Sequence, residues 1–196
     1  MNKKKFIEQF LVQGNKRLDP KPYVIDDENK SVINTLADYF TGATVPNLDP
    51  TKGILLIGNP GGGKTIMMKT MRDVMLHSDH TFGWTTCRQI AQSFGVSGFK
   101  DIIKWGSGCK WHTMFDDLGA EGDMTYFGTK ANVMADIIQD RYENFIDKKF
   151  KMHITTNLDW DGIRERYGVR VESRLHEMCN VLILRGSPSQ KDRRHG

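Results

Sequence analysis

The residues best able to do chemistry lie in "GNPGGGKT", Gly58 to Thr65, between the apolar run "ILLI" and the stretch "IMMKTM". Gly58, Gly63, Lys64 and Thr65 meet the spacing G-x-x-x-x-G-K-[ST], and an apolar strand before it and a helical stretch after it supply the required context. Glycines at 58, 61, 62 and 63, with Asn59 and Pro60 between, let backbone N–H groups converge on phosphate oxygens where side chains would block the approach. The helix entered at Ile66 presents its N-terminus, about half a positive charge, to the same anion. Lys64 is then placed to reach the β- and γ-phosphates, and the Thr65 hydroxyl to ligate Mg²⁺. The strand, the spacing and the Lys-Thr ending weigh against a turn that only joins strand to helix.

Such a site needs an acid on a neighbouring strand, and "TMFDDLGAE" supplies Asp116 and Asp117 at the end of an apolar run. If Asp116 supports the water shell of Mg²⁺, Asp117 is free to orient or deprotonate an attacking water, which favours hydrolysis over simple binding. A solvated pair in a turn is the plainer alternative. Glu121, separated from the pair by Leu118, Gly119 and Ala120, either joins it or faces solvent. The apolar run "MHITTN" ends in Asn157, whose amide suits either a γ-phosphate, a lytic water or a turn. Arg170 and Arg174 are four apart and share a helix face; on local grounds they read as surface arginines.

The elements that position these groups follow from periodicity. A chain of 196 residues with 38% hydrophobic content buries one core, and with 27% charged residues and no long apolar run it reads as soluble, with no membrane partner. The basic-then-apolar N-terminus is interrupted by Glu8 and Gln9 and lacks a small-residue cleavage site, so a cytoplasmic protein is expected. Cys87, Cys109 and Cys179 lack C-x-x-C spacing and are expected to be reduced and mostly buried. The net charge of +4 permits a polyanionic partner without requiring one. Phe6, Ile7, Phe10 and Leu11 predict a short N-terminal helix within residues 1 to 21. Ile33, Leu36, Ala37 and Phe40 predict a second helix over Glu28 to Phe40, stopped at Gly42. From Gly53 onward "GILLIG", "HTFGWTT", "WHTMFDD", "MHITTN" and "VLILR" read as strands alternating with helices, hence an α/β fold with a largely parallel sheet. Residues 88 to 108 read as two short helices split between Gly95 and Gly98. Met67, Met68, Met71 and Met75 read as core filler.

In this order and spacing, "GNPGGGKT", "FDDLGAE", "TTNL" and "YGVRVESRL" resemble the DnaC/DnaI helicase loaders and IstB-like transposition helper ATPases, which are AAA+ proteins. The resemblance covers about Tyr23 to Arg194. It implies a P-loop NTPase of AAA+ type, a parallel sheet flanked by helices without a C-terminal helical lid. The ATPase core would span 23–196, and residues 1–22 would be a helix or tail for partner contact. By the same resemblance Lys64 and Thr65 are Walker A, Asp116 and Asp117 Walker B, and Asn157 sensor 1. Arg174, with Arg170 beside it, is the arginine finger entering a neighbour's site in a homo-oligomer. Val24 and Ile25 border the adenine through their backbone. The 88–108 segment, with Lys100, Lys104 and Trp105, touches single-stranded DNA; alternatively Trp105 packs inward with Phe94, Phe99, Ile102 and Ile103. Arg193 is either sensor 2 or tail. The segment before Tyr23 is shorter than the module by which loaders grip the replicative helicase.

The resemblance implies an ATP- and Mg²⁺-dependent AAA+ ATPase that assembles on single-stranded DNA to load or remodel a replication partner. An IstB-like helper serving a transposase shares the same core. A small-molecule or nucleotide kinase is opposed by the lack of an arginine-rich lid and by the Asp116-Asp117 pair. A GTPase is opposed by the lack of an N-K-x-D motif. A nucleotide switch that does not hydrolyse is the remaining alternative.

Overall fold

The computed structural model describes residues 1–185, so Arg193 lies outside the described residues. Seven strands and eight helices occur among them. The strands are β1 (Gly53–Gly58), β2 (Gly83–Thr86), β3 (Thr113–Leu118), β4 (Met124–Tyr126), β5 (Thr129–Ala131), β6 (Met152–Thr156) and β7 (Cys179–Leu184). The helices are α1 (Lys3–Leu18), α2 (Lys30–Thr41), α3 (Lys64–Val74), α4 (Cys87–Ser97), α5 (Phe99–Ile102), α6 (Val133–Lys148), α7 (Trp160–Tyr167) and α8 (Val169–Met178). Five strands form one sheet in the order β2-β3-β6-β1-β7, and every pairing in it is parallel.

The run "ILLI" in β1 is apolar at every position because the strand is covered on both faces. Ile54 and Leu56 join the core shared with α1, α2 and α3, whereas Leu55 and Ile57 join the core beneath α4, α6, α7 and α8. The four methionines of "IMMKTMRDVM" are buried in the first of these cores, as their helical spacing predicts. Phe6 and Phe10 of α1 are fully buried there too, and Lys3 pairs with Asp38 of α2 at 2.6 Å. Each such phenylalanine contributes about 1.5–3 kcal/mol of burial, so residues 3–18 share the core of the sheet. Gly42 stops α2 in the left-handed region (φ 76°), its N–H turned back to the carbonyls of Asp38 and Tyr39.

The segment between β2 and β3 divides into α4 and α5 at Gly98. A side chain there would lie 2.6 Å from Tyr126 Cε1. Phe94 and Ile102 are buried, and Trp105 is half-buried against the same core. Tyr126 belongs to a hairpin the sequence did not announce: β4 pairs antiparallel with β5 across Phe127 and Gly128, at φ 45° and 81°. Two residues with positive φ make the tight hairpin connection usually written Asn-Gly or Asp-Gly, and a phenylalanine hides that signature. All three cysteines are free and buried, and no helix among the described residues is long and apolar enough to cross a membrane.

Candidate functional site

The phosphate loop leaves β1 at its C-terminal end and turns into α3. A Cβ on Gly58 would lie 2.5 Å from the Leu184 carbonyl oxygen of β7, while Gly61 and Gly63 occupy positive φ (76° and 87°). These are positions only glycine meets without strain. No side chain caps α3 at Gly63, as is also the case at the starts of α2, α5 and α8, whereas Asn2, Thr86, Asn132 and Asp159 cap α1, α4, α6 and α7. The first turn of α3 thus follows the loop of Asn59, Pro60, Gly61 and Gly62 without a side-chain cap, an arrangement that leaves its N–H groups to an anion.

Lys64 opens α3 and is buried. Its ammonium donates to the carbonyls of Gly58 (2.7 Å) and Asn59 (2.9 Å) and to Asn157 Oδ1 (2.6 Å). Burial lowers its pKa, opposed by the nearby Asp117 and Asp116 carboxylates. Thr65 is next, and its hydroxyl donates to Asp116 Oδ1 at 2.9 Å. Asp116 also accepts from the Thr155 hydroxyl at 2.6 Å; burial raises its pKa, and these two hydroxyls oppose that rise. Ile66 follows, half-buried on α3.

On a regular strand adjacent side chains point to opposite faces, so Asp116 and Asp117 would not serve one site. A bulge changes this. The register of β3 against β6 shifts between Phe115, opposite Ile154, and Leu118, opposite Thr156, so three steps on β3 face two on β6. Asp117 takes up the extra residue with a left-handed backbone (φ 61°), and its N–H donates to Thr155 Oγ1 at 2.9 Å. Its carboxylate then accepts from Asn157 Nδ2 at 2.9 Å. Lys64, Asn157 and Asp117 thus form one hydrogen-bonded chain, and Thr65, Asp116 and Thr155 a second beside it. Sequence reasoning missed Thr155. Only its place in "TTN", directly across from the acids, hints at its role.

Mg²⁺ binds hard oxygen donors, through one or two carboxylates plus substrate phosphates and waters rather than an all-protein cage. The paired Thr65 hydroxyl and Asp116 carboxylate fit that ion at the mouth of the phosphate loop.

The chain resembles solved structures at low sequence identity. The DnaC helicase loader has 18% identity, covers 88% of this chain and 98% of its own, and gives a TM-score of 0.60. DnaI has 16% identity over 87% of each chain, with a TM-score of 0.62. AMPPCP-bound DnaA from Aquifex aeolicus has 11% identity over 88% of this chain and 50% of its own, with a TM-score of 0.56. The fold is that of an AAA+ P-loop domain. No family model and no curated protein sequence matches the chain.

Within this AAA+ fold the other expected positions are dispersed. Val24 is exposed and its carbonyl accepts from the buried Asn29 Nδ2 at 2.9 Å, while Ile25 rests against the core of α1–α3. Arg170, exposed, and Arg174, half-buried, lie on α8. The Arg174 guanidinium sits 4.8 Å from the Tyr142 ring centre. Both arginines line a cleft of about 520 Å³ with Asp136, Asp140 and Glu143 of α6, and the structure does not bring them to Lys64 of the same chain.

Glu121 does not face solvent. It is buried, accepts from the Gly119 N–H at 3.0 Å and from the Tyr167 hydroxyl, and lies 3.6 Å from Arg166 Nε. The partners that draw it inward come from α7, some 46 residues along the chain, which no local pattern announces.

Proposed function

We propose that this chain binds ATP with Mg²⁺, hydrolyses it, and assembles on single-stranded DNA to load or remodel a replication partner. The observation that carries this reading is the continuous link from Lys64 through Asn157 to Asp117 at the mouth of the phosphate loop. A turn that only joined strand to helix would not gather a buried ammonium, an amide and a carboxylate around an uncapped helix N-terminus.

In this reading the loop N–H groups and Lys64 hold the β- and γ-phosphates. Thr65, and Asp116 through water, hold Mg²⁺, which supplies charge neutralisation when bound. Asp117 orients the attacking water and accepts its proton, and Asn157 turns its amide between the γ-phosphate and that water. Val24 and Ile25 border the adenine by backbone contact. Arg174, with Arg170 beside it, completes the site of a neighbouring copy, which fits their position on a cleft away from their own phosphate loop. A finger supplied in this way contributes roughly 10³ to 10⁵ in turnover where it has been characterised. The likeness to the DnaC helicase loader supports a replicative helicase as partner rather than a transposase.

The test is ATP turnover per subunit against protein concentration, with and without single-stranded DNA, and with Lys64→Ala as the blank. A rate that climbs with concentration and with DNA is expected. A flat, DNA-insensitive rate would remove both the shared site and the assembly on DNA.

A further inference from the structure

Of the two readings of Trp105, a DNA contact implied by the resemblance and inward packing, the structure has the second: the ring is half-buried against the core. The most exposed large apolar side chain among the described residues is Phe127, at 91%. It sits at the tip of the β4–β5 hairpin with φ 45°, a conformation that costs a bulky residue energy and marks a position of interest.

The hairpin is pinned beneath that tip. Tyr126 meets Phe127 edge-on at 4.6 Å and contacts Phe94 at 6.1 Å, and its ring fills the space left by the missing side chain of Gly98. Lys130 and Asp123 close the base at 2.9 Å. An exposed ring is thus held outward on a fixed support.

The surface beside the hairpin is α4 and the start of α5. From Cys87 to Lys100 there is no Asp or Glu, and Arg88 and Lys100 stand exposed at the two ends. Gln89, Gln92, Ser93 and Val96 are exposed between them. Asp101 follows Lys100, and Asp123 is already neutralised by Lys130. Cations and amides without competing carboxylates suit a phosphate backbone, and an outward aromatic suits the face of an unpaired base. In a duplex that face is already stacked, so the combination selects single strands.

We propose that Phe127 is the base-stacking residue of a single-stranded DNA site, with Arg88 and Lys100 of the neighbouring α4–α5 surface tracking the phosphates. The proposal rests on the reading that the protein assembles on single-stranded DNA, and replaces Trp105 with a residue outside the 88–108 segment.

The test is fluorescence anisotropy of a labelled oligo-dT strand with the full chain and ATP, across a salt series. Phe127→Ala is expected to weaken binding on the order of ten- to a hundredfold while leaving the salt slope unchanged. Arg88→Ala and Lys100→Ala are each expected to reduce that slope by about 0.7. Phe127→Tyr restores binding, and a strand of abasic sites brings the wild type down to the Phe127→Ala level. DNA-free ATP turnover, unaffected by the exposed Phe127→Ala change, reports that the variant is folded. A wild-type chain that binds the strand as tightly as Phe127→Ala does overturns the proposal and leaves DNA assembly standing. Loss of self-association with DNA affinity intact assigns the ring to a protein contact and also overturns it. A wild type that binds no strand at all removes the underlying reading as well.

Discussion

The Asn157 amide bridges the two charged groups of the phosphate site: Oδ1 accepts from Lys64 at 2.6 Å and Nδ2 donates to Asp117 at 2.9 Å. One planar group therefore fixes the ammonium and the carboxylate relative to each other. In the proposed reading a phosphate held by the loop and Lys64 lies beside Asn157. Asn157→Ala should therefore lower ATP turnover by on the order of 10²-fold, the scale of losing one polar group aimed at the reacting centre. ATP affinity, held mainly by the loop, should change far less. Equilibrium binding and turnover measured on the same preparation check this, and equal losses in both would assign Asn157 to binding alone.

Asp116 and Asp117 are neighbours with different partners, so their substitutions should separate. Asp116 is tied to the Thr65 and Thr155 hydroxyls, and Asp116→Asn should weaken the dependence of ATP binding on Mg²⁺. Asp117→Asn should keep binding but reduce turnover by about 10²- to 10⁴-fold, the usual range for a lost general base, and so hold the assembly in its ATP-bound form. Size-exclusion chromatography in ATP would show a persistent oligomer for Asp117→Asn. Normal turnover in that variant would instead favour a nucleotide switch in which Asp117 plays no chemical part.

His153 ties acid stability to the sheet. It sits in β6 among Tyr39, Phe40 and Phe82, its Nδ1 accepting the Ile54 N–H at 3.2 Å. Burial first, and the positive Lys151, His112 and Arg141 after it, push its pKa from 6.5 down to about 3. Above pH 6.5 the imidazole is neutral in both folded and unfolded chains, and its contribution is fully present. Between 6.5 and about 3 only the unfolded chain takes up the proton, so stability falls by roughly 1.4 kcal/mol for each pH unit from this group. Urea midpoints at several pH values should show His153→Gln with a shallower acid loss than the wild type. Parallel profiles would mean that His153 is protonated in the folded protein too.

The parts of this site that could be read from sequence are those set by local spacing. Gly58 to Thr65 carries its own geometry, because the turn and the helix start are consecutive in the chain. The alternation of apolar runs and helical patterns likewise announces a parallel sheet, since such strands must be covered on both sides. What escaped notice depends on distant pairing. The bulge that lets both aspartates reach the loop exists only against β6, where Thr155 holds it. Glu121 turns inward because Tyr167 and Arg166 wait for it on α7. The hairpin of Phe127 breaks the usual turn chemistry, whereas for Trp105 one of the two readings open in the sequence, packing inward with its apolar neighbours, is the one the structure has.

The central claim is an ATP site completed by Arg174 of a second copy, and mixing two inactive variants tests it most directly. Lys64→Ala lacks the phosphate-binding ammonium but keeps the arginine; Arg174→Ala keeps the loop but has no finger to offer. Each alone should turn over ATP at a background rate. If the site is shared, mixing them on single-stranded DNA places intact loops beside intact arginines and restores a clear rate that rises as Lys64→Ala is added to a fixed amount of Arg174→Ala. A mixture no faster than the sum of its parts, with Arg174→Ala alone as active as the wild type, would contradict the account.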